Sequence, residues 1–287
     1  MSHYCPLPTA HCPLPTAHCP PVSRLLRTFA LPMTRQKVLF RDLGSMDYQP
    51  AWDFQEQLLA QNVSIKSARW RSDAPQHQSH VTTQHEAPVT TATEETVHHL
   101  LFVEHPPVYT LGKSGKMNHF LLSDEEREKK NVSFYKINRG GDITFHGPGQ
   151  IVAYPILDLE RFYTDIGRYM RNLEEVIIRT CADYGIRAER SAGETGVWLD
   201  THLKGRERKI CAIGVRCSRW VTMHGLAFNV NTNLDYFSNI IPCGIQDKQV
   251  TSLQRELGHE LNMEEVKLAV RKNFEKVFEV DLIENGH

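Results

Sequence analysis

Long apolar runs are missing from this 287-residue chain: no stretch of 18 or more apolar residues occurs, so no membrane-spanning helix is expected. A charge excess is missing as well. Lys and Arg number 33 against 34 Asp and Glu, a balance without the basic surplus by which dedicated nucleic-acid binders hold phosphates. Seven cysteines are an odd count, and Cys5, Cys12 and Cys19 fall in one N-terminal repeat, so no disulfide framework is expected and a reducing compartment is. No Gly-Lys-Ser or Gly-Lys-Thr follows the most glycine-rich stretch, and GxGxxG does not occur there, which removes the usual phosphate-cradling loops. The remainder, 40% hydrophobic and 23% charged, is the composition of a soluble globular protein with one sizeable core and room for extensions.

The extensions stand out by composition. CPLPTAH at 5–11 is repeated at 12–18 and begins again at Cys19, a proline-rich pattern that favours extended, unpacked chain over a zinc module. Its His11, Cys12, His18 and Cys19 bind metal at most adventitiously, so no metal site is expected. From Arg24 to Arg41 there are five basic residues and no acidic one, and Met33 offers an alternative start. Residues 1–36 are therefore read as a disordered repeat and basic segment, and 37–287 as the folded domain. Within it, 71–97 runs to Gln, Thr, Ser, Pro and His and reads as a mobile polar insertion.

The domain alternates strand-like and helix-like stretches. Strands are predicted at KVLFRDLG, HHLLFVEH (98–105), PPVYTLGK, VSFYKINR, QIVAYPILDL, TGVWLD (195–200), KICAIGVRC (209–217) and VTMHGLAFNV (221–230), the last two as a hairpin. A helix is predicted from Asp47 to Gln61, and Ser123 three residues before Glu126 predicts a capping box. From Thr164 to Tyr184, Ile166, Tyr169, Met170, Leu173, Val176, Ile177 and Cys181 recur at helical spacing and read as core. A closing helix opens at Asn262, boxed by Glu265, with Val266, Leu268, Val270, Phe274 and Val277 as its apolar side. Strands in runs with helices set apart indicate an α+β fold, a mixed β-sheet core with flanking helices.

Chemistry concentrates in a few places. RGGDITFHGPGQ at 139–150 and MHGLA at 223–227 bring bare backbone beside His146 and His224, which reads either as turns with glycine tips or as the wall of a narrow slot. Cys243, between Pro and Gly, is the one thiol predicted in a turn; Cys181 and Cys211 lie in helix and strand patterns. A nucleophilic Cys243 needs its pKa lowered, and Lys204, Arg206, Arg208, Lys209, His146 and His224 are the candidate neighbours, unranked by spacing. A purely structural cysteine is the alternative.

Taken in order, RGGDITFHGPGQIVAYPILDL, GVW, KICAIGVR, HGLAFNVNTNLDYF and NIIPCGI resemble the lipoyl(octanoyl)transferase family, across 139–245 and more weakly from about 37 to 280. The resemblance implies a biotin/lipoate protein ligase-like fold. It also implies an acyltransferase that moves an octanoyl group from octanoyl-acyl carrier protein to a lysine ε-amino group, the first step of endogenous protein lipoylation. The acceptors implied are lipoyl domains of 2-oxoacid dehydrogenase complexes and the glycine cleavage H protein, with no cofactor, nucleic acid or membrane. The cysteine of the family's P-C-G motif falls on Cys243 as acyl-thioester nucleophile, and the lysine that lowers its pKa and moves protons falls on Lys209. Acyl contacts fall on Arg139, Gly140, Gly141, Asp142, Ile143, Thr144, Phe145 and His146, on Ala212, Ile213 and Gly214, and on Gly225, Leu226 and Ala227. His146 and His224 are read as organising their loops, and a cytoplasmic location is expected, with mitochondria as the alternative. Two other functions remain in view: an ATP-dependent ligase on the same fold, and a silent acyl- or partner-binding protein.

Overall fold

A computed structural model describes residues 35–72, 94–241 and 249–284. The expectations for the N-terminal repeat, for most of the insertion and for Cys243 lie outside the described residues.

The two longest fully buried strands lie inside the main sheet. β6 (Gln150–Ile156) and β9 (Val221–Asn229) are buried at every position, so each feeds two cores. Ile151 and Ala153 of β6 face one core, and Val152, Tyr154 and Ile156 face the other. The eight-stranded mixed sheet adds β1 (Gln36–Ser45), β2 (His98–Glu104), β7 (Val197–Leu199), β8 (Arg208–Ser218), β10 (Gln249–Val250) and β11 (Val280–Glu284), in the order β10-β8-β9-β6-β2-β1-β11, with β7 also on β8. A second sheet of three strands, β4-β3-β5, comprises β3 (Val108–Leu111), β4 (Ser133–Lys136) and β5 (Ile143–His146). The α+β expectation holds.

Helices cover both faces. α1 (Tyr48–Ser72) sets Ala51, Leu58 and Leu59 against one face. It runs eleven residues past the predicted end at Gln61, because its last turns are held by polar contacts that apolar periodicity does not register. Asn62 exchanges hydrogen bonds with both backbone groups of Val97, and Lys66 pairs with Asp158. α3 (Ile166–Asp183), the short α4 (Leu253–Leu257) and α5 (Met263–Phe278) cover the other face, with Leu173, Val176, Ile177, Leu253, Val266, Val270 and Phe274 in one core.

Four expectations about these helices need correction. Ile166, in the first turn of α3 where Asp165 caps by accepting from Arg168 N, is 39% exposed, within a stretch exposed from 164 to 168, and is not core. Met170 lines a cavity. Asn262 caps α5 by accepting from Glu264 N, so no box forms with Glu265, and Leu268 is 45% exposed on the outer face. The predicted box between Ser123 and Glu126 is complete and opens α2 (Asp124–Lys129).

Two backbone features shape the site. The β8–β9 hairpin closes on Arg219 and Trp220, both at positive φ, the geometry of the tight turns that match strand twist. Further along β9, pairing with β6 ends at Ala153↔Leu226, two residues before Pro155, which has no N–H to give. His224 there is at φ 59°, and Gly225 crosses so close to the Ala153 carbonyl that a Cβ has no room.

Candidate active site

RGGDITFHGPGQ does not form a hairpin with glycine tips. β5, at its centre, belongs to the small sheet and β6, which follows, to the large one, so residues 147–149 carry the chain from one sheet to the other. The turn is fixed at Gly149, φ 76°, whose carbonyl accepts from Val230 N, Asn231 N and the Thr232 hydroxyl. A Cβ there would stand 2.6 Å from the Asn231 backbone, so only glycine fits without displacement.

The RGG segment is pinned from two sides. Residues 112–114 donate backbone hydrogen bonds to Asp142 O, Arg139 O and Gly141 O, and Gly140 N donates to Val215 O of β8. Close packing demands glycine at Gly214, where a Cβ would sit 2.9 Å from Gly140 O. Arg139 is buried, and its guanidinium donates to the Thr110 carbonyl and hydroxyl and to Gly140 O.

A cavity of about 470 Å³ opens between these segments. Its floor is a row of small side chains across three strands, Val152 opposite Ala227 and Ala227 opposite Ala212. Of the residues expected to contact an acyl chain, Arg139 to Thr144, His146, Ala212 to Gly214 and Gly225 to Ala227 all line it, and so does Lys209. Phe145 does not. Its ring stacks on Tyr236 at 4.5 Å in the small sheet's own core, as strand alternation requires once His146 faces the cavity. Sequence reasoning missed Tyr48, Tyr154 and Met170 on the wall, and residues 193–195; the periodicity at Met170 was legible only as core.

Geometry also ranks the basic candidates. Arg208 is committed to Glu256 and Asp200, and Lys204 and Arg206 are exposed in the turn before β8. Lys209 lines the cavity, with its ammonium 4.5 Å from the Trp198 ring centre in a cation–π contact. Cys211 is buried and its thiol is pushed far up by desolvation, so it stays protonated and inert.

Both histidines are neutral parts of hydrogen-bond chains. His146 Nδ1 donates to Gln150 Oε1 and Nε2 accepts from the Thr110 hydroxyl, because Gln150 uses its amide NH₂ on Phe145 O and Asn229 Oδ1. Burial, foremost, and the neighbouring His105 push its pKa well below the ordinary value. His224 Nε2 donates to Asn138 Oδ1, and burial with Arg139 and Arg216 nearby lowers its pKa to about 3. His105, which donates from Nδ1 to Met46 O and accepts from the Tyr154 hydroxyl, is lowered to about 4 by burial. His146, His224 and the pinned Arg139 line the cavity, and His105 backs them through its contacts with His146 and Tyr154. Among the described residues no group of three or more metal-ligating side chains occurs, and no helix is long and apolar enough to cross a membrane.

Comparison with known proteins agrees with this architecture. A family model described as the Lipoyl protein ligase A/B catalytic domain matches residues 76–275. The octanoyltransferase of Christiangramia forsetii is 52% identical over 248 residues, covering 86% of this chain and 98% of its own, and that of Flavobacterium psychrophilum is 53% identical over 247 with the same coverage. Among solved structures, a bipartite lipoate protein ligase from Thermoplasma acidophilum superposes with a TM-score of 0.52 at 16% identity, covering 88% of this chain and 86% of that one. LipL1 of P. falciparum, solved with lipoate, superposes with a TM-score of 0.57 at 12% identity, covering 85% and 62%. At such identities the structures speak to the fold alone, and it is the expected lipoate-ligase fold. The sequence relatives decide the rest: this chain belongs to the octanoyltransferases, acyltransferases of the lipoyl protein ligase A/B catalytic-domain family.

Proposed function

We propose that the protein transfers an octanoyl group from octanoyl-acyl carrier protein to a lysine of a lipoyl domain through a thioester on Cys243. The observation that carries this reading is the gathering of three distant segments, 139–146, 212–214 and 225–227, around one cavity with the Lys209 ammonium in its lining. In the first step the Cys243 thiolate attacks the donor carbonyl, a new S–C bond forms, and the carrier thiolate leaves and takes a proton from Lys209. In the second, the acceptor amine attacks the enzyme thioester, the C–N bond forms as the C–S bond breaks, and the amine proton returns to Lys209. Exchange of thioester for thioester is nearly isoenergetic and amide formation drives the second step, so no ATP is consumed. Backbone N–H groups of the glycine segments are the candidates for holding the developing oxyanion, worth roughly 3 to 4 kcal/mol where such donors have been removed.

The bare walls suit a straight acyl chain. At about 0.8 kcal/mol for each buried CH₂, an octanoyl tail contributes on the order of 5 kcal/mol, and one methylene changes binding on the order of tenfold. Preference for eight carbons is therefore graded. The lipoyl domains of 2-oxoacid dehydrogenase complexes and the glycine cleavage H protein are the acceptors this reading implies, in the cytoplasm. Donor requirement separates it from an ATP-dependent ligase: a lipoyl domain given octanoyl-acyl carrier protein is expected to be modified without ATP. Modification from free octanoate and ATP in the absence of carrier would contradict it.

A further inference from the structure

Glu174 lies on α3 with none of its side chain exposed, a place where an isolated carboxylate is costly. It is tied to two segments at once. Its Oε2 pairs with Arg171 on its own helix at 2.7 Å and with Arg190 Nε at 3.1 Å, and its Oε1 accepts from Gly196 N at 3.0 Å. Arg190 and Gly196 are the two ends of a loop whose middle, Gly193, Glu194 and Thr195, lines the cavity beside Lys209. Gly196 itself is locked, with φ 108° and no room for a Cβ against the Cys211 carbonyl. Two residues on, Trp198 pairs with Lys209 across β7 and β8 and seats its ammonium. One helical turn before Glu174, on the same face of α3, Met170 lines the cavity directly.

We infer that Glu174 is a positioning residue that fixes the wall formed by Met170 and residues 193–195, and thereby sets the acyl-chain preference. The inference rests on the reading of the cavity as the acyl slot. Replacing the side chain by a methyl group removes the one group that ties both ends of the loop to α3, leaving Arg190 its bonds to Glu175 and the Arg171 carbonyl and Gly196 without its acceptor, and a wall loosened at that end admits longer chains. Gln at this position still accepts from Gly196 N, so the loop end nearest Lys209 stays in place.

The test is a competition. Wild type, Glu174→Ala, Glu174→Gln and Arg190→Ala each receive equal octanoyl- and dodecanoyl-carrier protein with a lipoyl domain, and the ratio of the two products is read by mass. A loss of folded enzyme lowers both products equally and leaves the ratio unmoved. Glu174→Ala is expected to lower the octanoyl preference by about fivefold or more and Arg190→Ala by about twofold or more, while Glu174→Gln stays near wild type. Wild-type ratios in both alanine variants would overturn the inference while transfer itself persists. If Glu174→Ala does not fold, Arg190→Ala, whose side chain is 36% exposed, decides alone. A wild type that transfers neither chain overturns the slot reading, and this inference with it.

Discussion

Lys209→Ala is expected to slow acyl transfer by about a hundredfold or more and to move the pH midpoint of Cys243 alkylation upward. Two losses combine. A thiol with an ordinary pKa near 8.5 is mostly protonated at neutral pH, and a nearby ammonium is the cation that would correct this. In the proposed mechanism the same group gives a proton to the departing carrier thiol and takes one from the incoming amine. Position supports the choice: Lys209 lines the cavity, whereas Arg208 is held by two carboxylates and Lys204 and Arg206 face solvent. Iodoacetamide rates with the wild-type pH midpoint in the variant would remove Lys209 from this role.

Acid is expected to destabilise the domain well before its carboxylates titrate. His105 and His224 are 0% and 1% exposed, with folded pKa values near 4 and near 3 against an ordinary value of 6.5. A depressed folded pKa means the unfolded chain takes up the proton first. The stability these groups contribute is complete above about pH 6.5 and is lost as pH falls towards the folded values. Between pH 7 and pH 5 the loss is roughly 2 kcal/mol for each such histidine, so the pair alone removes a large part of a typical folding free energy. Denaturant unfolding at intervals from pH 7 to pH 5 measures it. A flat midpoint over that window would mean that the imidazoles keep a near-ordinary pKa in the folded state, and the desolvated setting assigned to these histidines would be wrong.

Local signals carried part of this structure and long-range pairing the rest. The buried strands at 98–104 and 150–156 were legible because a strand covered on both faces carries an unbroken apolar run, Leu100 to Val103 in one and Ile151 to Tyr154 in the other. Strand β5 was hidden among glycines, and β11 was not predicted at all, since its five residues become a strand only by pairing in parallel with β1, over two hundred positions earlier. The hairpin at Arg219 and Trp220 carries none of the Asn-Gly or Asp-Gly chemistry that usually announces such a turn.

The site divides in the same way. Glycines that permit close approach could be recognised in the sequence, and Gly214 and Gly225 do lie where a Cβ has no room. Phe145 could not be separated from His146 by motif, because the two alternate across one short strand and only tertiary packing decides which faces the cavity. Tyr48 and Met170 sit on helices whose pattern marks them as ordinary packing, and their place on the cavity wall arises from where α1 and α3 lie against the sheet.

The claim on which the account turns is the thioester at Cys243. Intact mass of the full-length protein, taken after mixing with octanoyl-acyl carrier protein and no acceptor, reads it directly. The account predicts a gain of one octanoyl group that is lost under hydroxylamine and never forms in Cys243→Ser under the same conditions. An adduct of the same mass and lability in the serine variant, or acyl transfer at the wild-type rate without Cys243, would contradict it.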